Sequence, residues 1–88
     1  MYEAKVTVRS VPGIHARPAA LLVQRASLFK AEVFIATADL TVNAKSIMGV
    51  MMLAAETGTE LTFRAEGPDE KKAVEALIGM VEDGFKDP

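Results

Sequence analysis

His15 is the sole histidine of the chain, and it lies in the run Gly13-Ile14-His15-Ala16-Arg17-Pro18-Ala19-Ala20. Imidazole titrates near a pKa of about 6.5, so a neutral, nucleophilic nitrogen is available around neutral pH. Gly13 before it lets the loop approach another group closely. Arg17, two residues on, adds a permanent positive charge and a fork of N–H donors. If His15 caps a helix that starts at Ala16, the N–H groups of Ala16 and Arg17 face outward at the positive end of the helix dipole. An oxyanion joined to the imidazole would fall among those donors. These are the parts needed to hold a phosphoryl group on a side chain. The plain alternative is a surface histidine beside a loop, and the run by itself leaves both readings open.

Ser46 is the second candidate. As an N-cap, its oxygen would accept a backbone N–H at the start of a short helix. The same position would accommodate a phosphoserine, whose negative charge is favourable at a helix start. The stretch that follows, Ile47-Met48-Gly49-Val50-Met51-Met52-Leu53, is too apolar all round for a helix with one wet face. Val50 and Leu53 are expected to be buried, leaving Ile47, Met48 and Met51 partly exposed. The stretch reads either as a deeply buried helix or as an interaction patch, and flexible methionines suit the latter.

Composition removes several other classes. With one histidine and no cysteine, neither a metal site nor thiolate chemistry is expected, and no cofactor is implied. No serine sits in a nucleophile elbow, and no pair of carboxylates has an acid–base arrangement. The net charge is −2, with both signs scattered, which argues against a nucleic-acid surface. Tyr2, Phe29, Phe34, Phe63 and Phe85 do not cluster as a base-stacking platform. No apolar run approaches the roughly 18 residues of a membrane span. The start Met1-Tyr2-Glu3-Ala4-Lys5 lacks the form of a secretory leader, so the expectation is a cytoplasmic protein.

The elements that must position these residues follow from periodicity. The length of 88 residues suits one domain, 1–88. Tyr2 to Arg9 alternates, with Tyr2, Ala4, Val6 and Val8 on one face, as a half-buried strand does. Ser10 to Gly13 is a loop broken by Pro12-Gly13. From Ala16 to about Phe29 the period becomes helical, with Ala19, Leu22, Val23 and Ala26 on one side; Pro18 is tolerated in the first turn. Glu32 to Thr37 and Leu40 to Asn43 read as two strands joined at Ala38-Asp39. A short helix spans about Ile47 to Leu53. Glu60 to Glu66 is a strand with Leu61, Phe63 and Ala65 inward. Asp69 is placed to cap a last helix whose apolar stripe is Val74, Leu77, Ile78, Val81 and Phe85. The resulting class is α+β: an open-faced two-layer sandwich of order βαββαβα. Its four-stranded antiparallel sheet, order 1-4-2-3, carries three helices on one face.

Two motifs at this separation resemble the HPr family, the histidine-containing phosphocarriers of the bacterial phosphoenolpyruvate-dependent sugar phosphotransferase system. They are Gly13-Ile14-His15-Ala16-Arg17-Pro18-Ala19 and Val42-Asn43-Ala44-Lys45-Ser46-Ile47-Met48-Gly49-Val50-Met51. Length, element order and the later Ala65-Glu66-Gly67 and Asp69-Glu70 segment also fit. The resemblance implies a carrier rather than an independent turnover enzyme. His15 would accept phosphate on Nδ1 from phosphorylated enzyme I and pass it to the A-domains of sugar-permease enzymes II. Arg17 and the N–H groups of Ala16 and Arg17 would steady the phosphoryl group. Ser46 would be the target of an HPr kinase/phosphorylase, with a catabolite-control transcription factor as a further partner. Ala20, Ile47, Met48 and Met51 would form the docking surface, and the carrier role favours a monomer. The chain departs from many relatives at Pro12, which offers neither a side-chain donor nor a backbone N–H, and at Leu40, Met52 and Ala54.

Two further readings stand beside this one. A regulatory paralogue would keep the His15 chemistry but act mainly by binding proteins. A small acylphosphatase-like hydrolase would need Arg17 as its phosphate-binding arginine and Asn43 as its water-positioning amide, and the motif context does not match.

Overall fold

The computed structural model describes residues 1–85; the end of the expected domain, 86–88, lies outside them. The order is β1 (Tyr2–Thr7), α1 (Ala16–Ala26), β2 (Glu32–Ala36), β3 (Thr41–Asn43), α2 (Ile47–Met52), β4 (Glu60–Glu66) and α3 (Glu70–Glu82). The four strands form one antiparallel sheet in the expected order β1-β4-β2-β3.

Register shows why the sheet has one dry face. Ala4 pairs with Phe63, Phe63 with Ile35, and Ile35 with Val42, so one apolar row crosses all four strands. Val6 opposite Leu61 and Val33 opposite Ala65 extend that face. A one-residue slip of any strand would turn its apolar set into water. Phe63, Leu61 and Ile35 are fully buried, and burial of each contributes about 1.5–3 kcal/mol. Leu22 of α1, Val50 of α2 and Val74, Leu77 and Val81 of α3 complete the same core. No polar side chain is buried among the described residues. On the wet face the Arg64 guanidinium lies 5.5 Å from the centre of the Phe34 ring.

The element ends differ from the periodicity in instructive ways. Apolar spacing extends the first helix to about Phe29, but α1 ends at Ala26. There the bonding shortens: Leu28 N–H donates to Arg25 O at 3.1 Å and Phe29 N–H to Ala26 O at 3.2 Å. This tight turn throws Leu28 into solvent, 76% exposed. At the other end of the sheet, β1 stops at Thr7, yet Val8 still exchanges backbone bonds with Gly58 and Thr59. The turn at Ala38-Asp39 is closed by Thr37 N–H to Leu40 O at 2.9 Å, so β3 begins one residue later than expected. On α3, Ala73 takes a fully buried place and Ile78 is only half-buried. Phe85 still reaches the core, but past the helix end, through left-handed residues Gly84 and Phe85.

Asp69 requires a larger correction. It occupies the N-cap position of α3, but its side chain makes no cap bond. Its carboxylate instead accepts the N–H groups of Lys30 at 2.9 Å and Ala31 at 2.8 Å. That pair ties the α1–β2 turn to the β4–α3 turn. Glu70 serves the helix start instead, accepting Gly67 N–H at 3.1 Å and the Met1 ammonium at 2.9 Å.

The N–H of Lys30 is the main cause that holds the Asp69 carboxyl below its ordinary 3.8; burial opposes it, and Ala31 N–H and the Lys45 charge add to the lowering. A depressed carboxyl stabilises the fold above its unfolded value and loses that contribution as pH falls through the folded one. Asp69→Asn is therefore expected to be less stable than the natural chain at neutral pH, with the gap closing below about pH 4. Urea unfolding of both proteins across the acid range checks this, and a gap independent of pH would remove the ionised carboxylate from the explanation.

Candidate functional site

Ile14 and Pro18 are buried, whereas His15, Ala16 and Arg17 between them are exposed. The chain thus pins both sides of the histidine and leaves the middle in water. His15 is the N-cap of α1, with extended backbone (φ −97°, ψ −165°) and no cap bond from its side chain. Its carbonyl accepts Ala19 N–H at 2.9 Å, so the backbone starts the helix and the imidazole stays uncommitted to it. Ala16 and Arg17 lie in the first turn, where helix geometry supplies no intrahelical acceptor for an N–H. His15, Ala16 and Arg17 are thus all exposed at the start of α1.

The loop below them is held by a segment far along the chain. Ile14 N–H donates to Ala55 O at 2.8 Å, and Gly13 bridges Glu56. The Ser10 hydroxyl donates to Gly13 O at 3.1 Å, and Thr57 Oγ1 donates to Ser10 O at 2.6 Å. Gly13 has φ +122°, and a Cβ there would stand 2.5 Å from Ala55 O. The close approach for which this glycine is needed is made to that backbone rather than to a ligand. Pro12 follows a cis peptide bond and contributes no donor; Ser10 and Thr57 tie the loop instead. Ser10, Ala55, Glu56 and Thr57 were not legible as site residues, because turn chemistry at Thr57-Gly58-Thr59 says nothing of what the turn touches.

Ser46 is the N-cap of α2, as its residue type predicts: its Oγ accepts Gly49 N–H at 3.1 Å. Asn43 Oδ1 accepts Lys45 N–H at 2.8 Å, and Lys45 Nζ donates to Phe29 O at 2.8 Å, so the turn before Ser46 is fastened to the turn after α1. The Asn43 side-chain carbonyl oxygen is thereby engaged in its own turn. Val50 and Leu53 are buried, while Ile47, Met48, Met51 and Met52 are 44%, 74%, 44% and 66% exposed. The stretch is therefore not the deeply buried helix of the alternative reading, and Met52 joins the residues expected to be exposed. Helix α2 packs beside α1, whose Ala20 is half-buried. Among the described residues no cluster of three or more His, Cys, Asp or Glu could hold a metal, and no helix is long and apolar enough to cross a membrane.

The fold is a small open-faced α+β sandwich with its one histidine exposed at a helix start. Comparison with known proteins makes the class specific. Residues 2–83 match the family model described as the PTS HPr component phosphorylation site. The HPr-like protein Crh of Bacillus subtilis is 51% identical over 83 residues, 94% of this chain and 98% of Crh. A crystal structure of Crh, described as a dimer with a swapped domain, matches with a TM-score of 0.76 at 48% identity, covering 99% of this chain and 100% of that one. Phosphocarrier protein HPr of Treponema pallidum is 46% identical over 82 residues, 93% of each chain. The structure of HPr-C-His from Thermoanaerobacter tengcongensis matches with a TM-score of 0.94 at 41% identity, covering 100% of this chain and 99% of that one. The chain belongs to the HPr family of phosphocarrier proteins of the phosphotransferase system.

Proposed function

We propose that this protein accepts a phosphoryl group on Nδ1 of His15 from phospho-enzyme I and hands it to a histidine on the A-domain of a sugar-permease enzyme II. In each step one P–N bond breaks as another forms, so the group passes between nitrogens of similar character and the transfer stays reversible. The observation that carries this reading is the exposed His15 side chain at the start of α1, free of any cap bond. Such a nitrogen is open to in-line attack from both sides of the transfer. The N–H groups of Ala16 and Arg17 and the Arg17 guanidinium stabilise the phosphoryl charge. Phosphoryl transfer asks mainly for positioning and electrostatics, so a small carrier needs no cleft. Ala20, Ile47, Met48 and Met51 dock the partners, and the protein serves them as a cytoplasmic monomer.

Transfer from phosphoenolpyruvate through purified enzyme I tests the reading. The expected product carries one acid-labile, base-stable label at His15. Absence of label, with an enzyme I proven on another HPr, would overturn it.

A regulatory arm is favoured by Ser46 and by the likeness to Crh, which is described as a catabolite repression protein. In this arm an HPr kinase/phosphorylase modifies Ser46, and the product binds a catabolite-control transcription factor. Ser46→Asp is expected to lower kcat/KM for acceptance at His15 by about tenfold, through repulsion from an acidic donor surface. Stopped-flow transfer from phospho-enzyme I measures it, and unchanged kinetics would disconnect Ser46 from the His15 reaction.

A further inference from the structure

Half of α2 is methionine: Met48, Met51 and Met52 occur within its six residues. Their spacing, i, i+3 and i+4, puts them on one stripe of the helix. They are 74%, 44% and 66% exposed, whereas Val50 between them is fully buried. Of the other methionines, Met1 at the chain start is 69% exposed but far along the chain from α2, and Met80 on α3 is half-buried. None of the three α2 side chains fills the core, so their packing does not explain the choice of methionine. Leucine would have a similar helix preference and a similar apolar surface.

Besides flexibility, what distinguishes a thioether from leucine in water is its reactivity. We propose that Met48, Met51 and Met52 form an oxidation-sensitive modification site that lowers the protein's affinity for its phosphotransfer partners. The reactant is a small peroxide. A sulfur lone pair attacks one peroxide oxygen, an S–O bond forms and the O–O bond breaks. Sulfur loses two electrons to become the sulfoxide, and hydrogen peroxide is reduced to water. Because the sulfurs lie outside the core, the reaction proceeds on the folded protein and leaves the fold in place.

The consequence is electrostatic. Each sulfoxide introduces a strong hydrogen-bond acceptor into a surface that a partner must dry on docking. Burying such an oxygen without a donor opposes association. His15 lies on another element and is chemically untouched, so docking weakens while the transfer step is spared. Reduction of the sulfoxides by the thiol-dependent methionine sulfoxide reductases restores the surface. This inference rests on the docking role proposed for α2.

The full chain treated with dilute hydrogen peroxide, with sulfoxides mapped by peptide mass, provides the test. Expected are sulfoxides at Met48, Met51 and Met52, with Met1 also oxidised as an exposed thioether that the leucine variant keeps, an unchanged circular dichroism melt, and a KM for phospho-enzyme I raised about tenfold with kcat within about twofold. Methionine sulfoxide reductase returns KM to its starting value. In the Met48→Leu/Met51→Leu/Met52→Leu variant the ratio of treated to untreated KM is about one, whatever that variant's own KM. An unchanged KM with all three sulfoxides present overturns the proposal, as does an equal response in the leucine variant. A natural, untreated chain that takes no phosphate from active enzyme I overturns the carrier reading itself, and this inference with it.

Discussion

His15→Ala is expected to abolish phosphate acceptance from enzyme I while leaving the fold intact. Both halves come from the same local geometry. The side chain is exposed and makes no cap bond to α1, so its removal breaks no contact on which the helix start depends. The helix start rests on backbone groups that alanine retains, His15 O to Ala19 N–H and the neighbouring Ile14 N–H to Ala55 O. The change in stability is therefore within about 1 kcal/mol, as for other surface substitutions away from special contacts. The chemical loss is complete because this is the only imidazole in the chain and no cysteine can replace it. Labelling from phosphoenolpyruvate, run beside a thermal melt, separates the two. A stoichiometric label on the folded variant would move the acceptor elsewhere; a collapsed melt would mean that His15 supports the loop in a way its exposed side chain does not suggest.

The same division between local and distant information decides what could be read from the sequence. Strand β4 was legible residue by residue, because Leu61, Phe63 and Ala65 alternate with polar neighbours and all three are fully buried. Ser46 was legible as a cap because the bond it makes, to Gly49 N–H, is three residues away. The exposed stripe of α2 was legible because a short helix cannot bury every side. Asp69 was legible as the N-cap residue of α3, but the partners of its carboxylate were not, for the opposite reason. Residue type and position both favour a cap, but its carboxylate finds Lys30 and Ala31, separated from it by nearly half the chain. The loop below His15 was hidden in the same way. Its anchors lie more than forty residues away: Ala55 O accepts Ile14 N–H, and the Thr57 hydroxyl donates to Ser10 O, and both acceptors are backbone oxygens that any residue carries. The reactive residue could therefore be named from its neighbours in sequence, whereas what holds it in place could not.

That hidden support leads to the second large effect. Gly13→Ala is expected to destabilise the protein by about 2–4 kcal/mol and to slow phosphate acceptance at His15. The φ of +122° at Gly13 is one that a side chain rarely adopts, at a cost of about 1–3 kcal/mol. Space adds a second penalty, since the new Cβ would stand 2.5 Å from Ala55 O and 2.9 Å from Glu56 Cα. Neither atom can rotate away, because both belong to backbone. The loop must then move off residues 55–56, and the acceptor it moves from, Ala55 O, is the one that takes Ile14 N–H. With that bond stretched, the residue before His15 loses its anchor, and the imidazole no longer meets enzyme I at a fixed place. Gly58→Ala supplies the comparison. Its φ is also positive, +94°, but an added Cβ there meets nothing within 4 Å. Urea unfolding should therefore show the Gly13 variant as the less stable of the two, and only that variant should be slow in stopped-flow transfer from phospho-enzyme I. Equal losses of stability in both would reduce the effect to backbone strain. A Gly13 variant of normal stability and rate would mean that the close approach to Ala55 is not what holds the histidine in position.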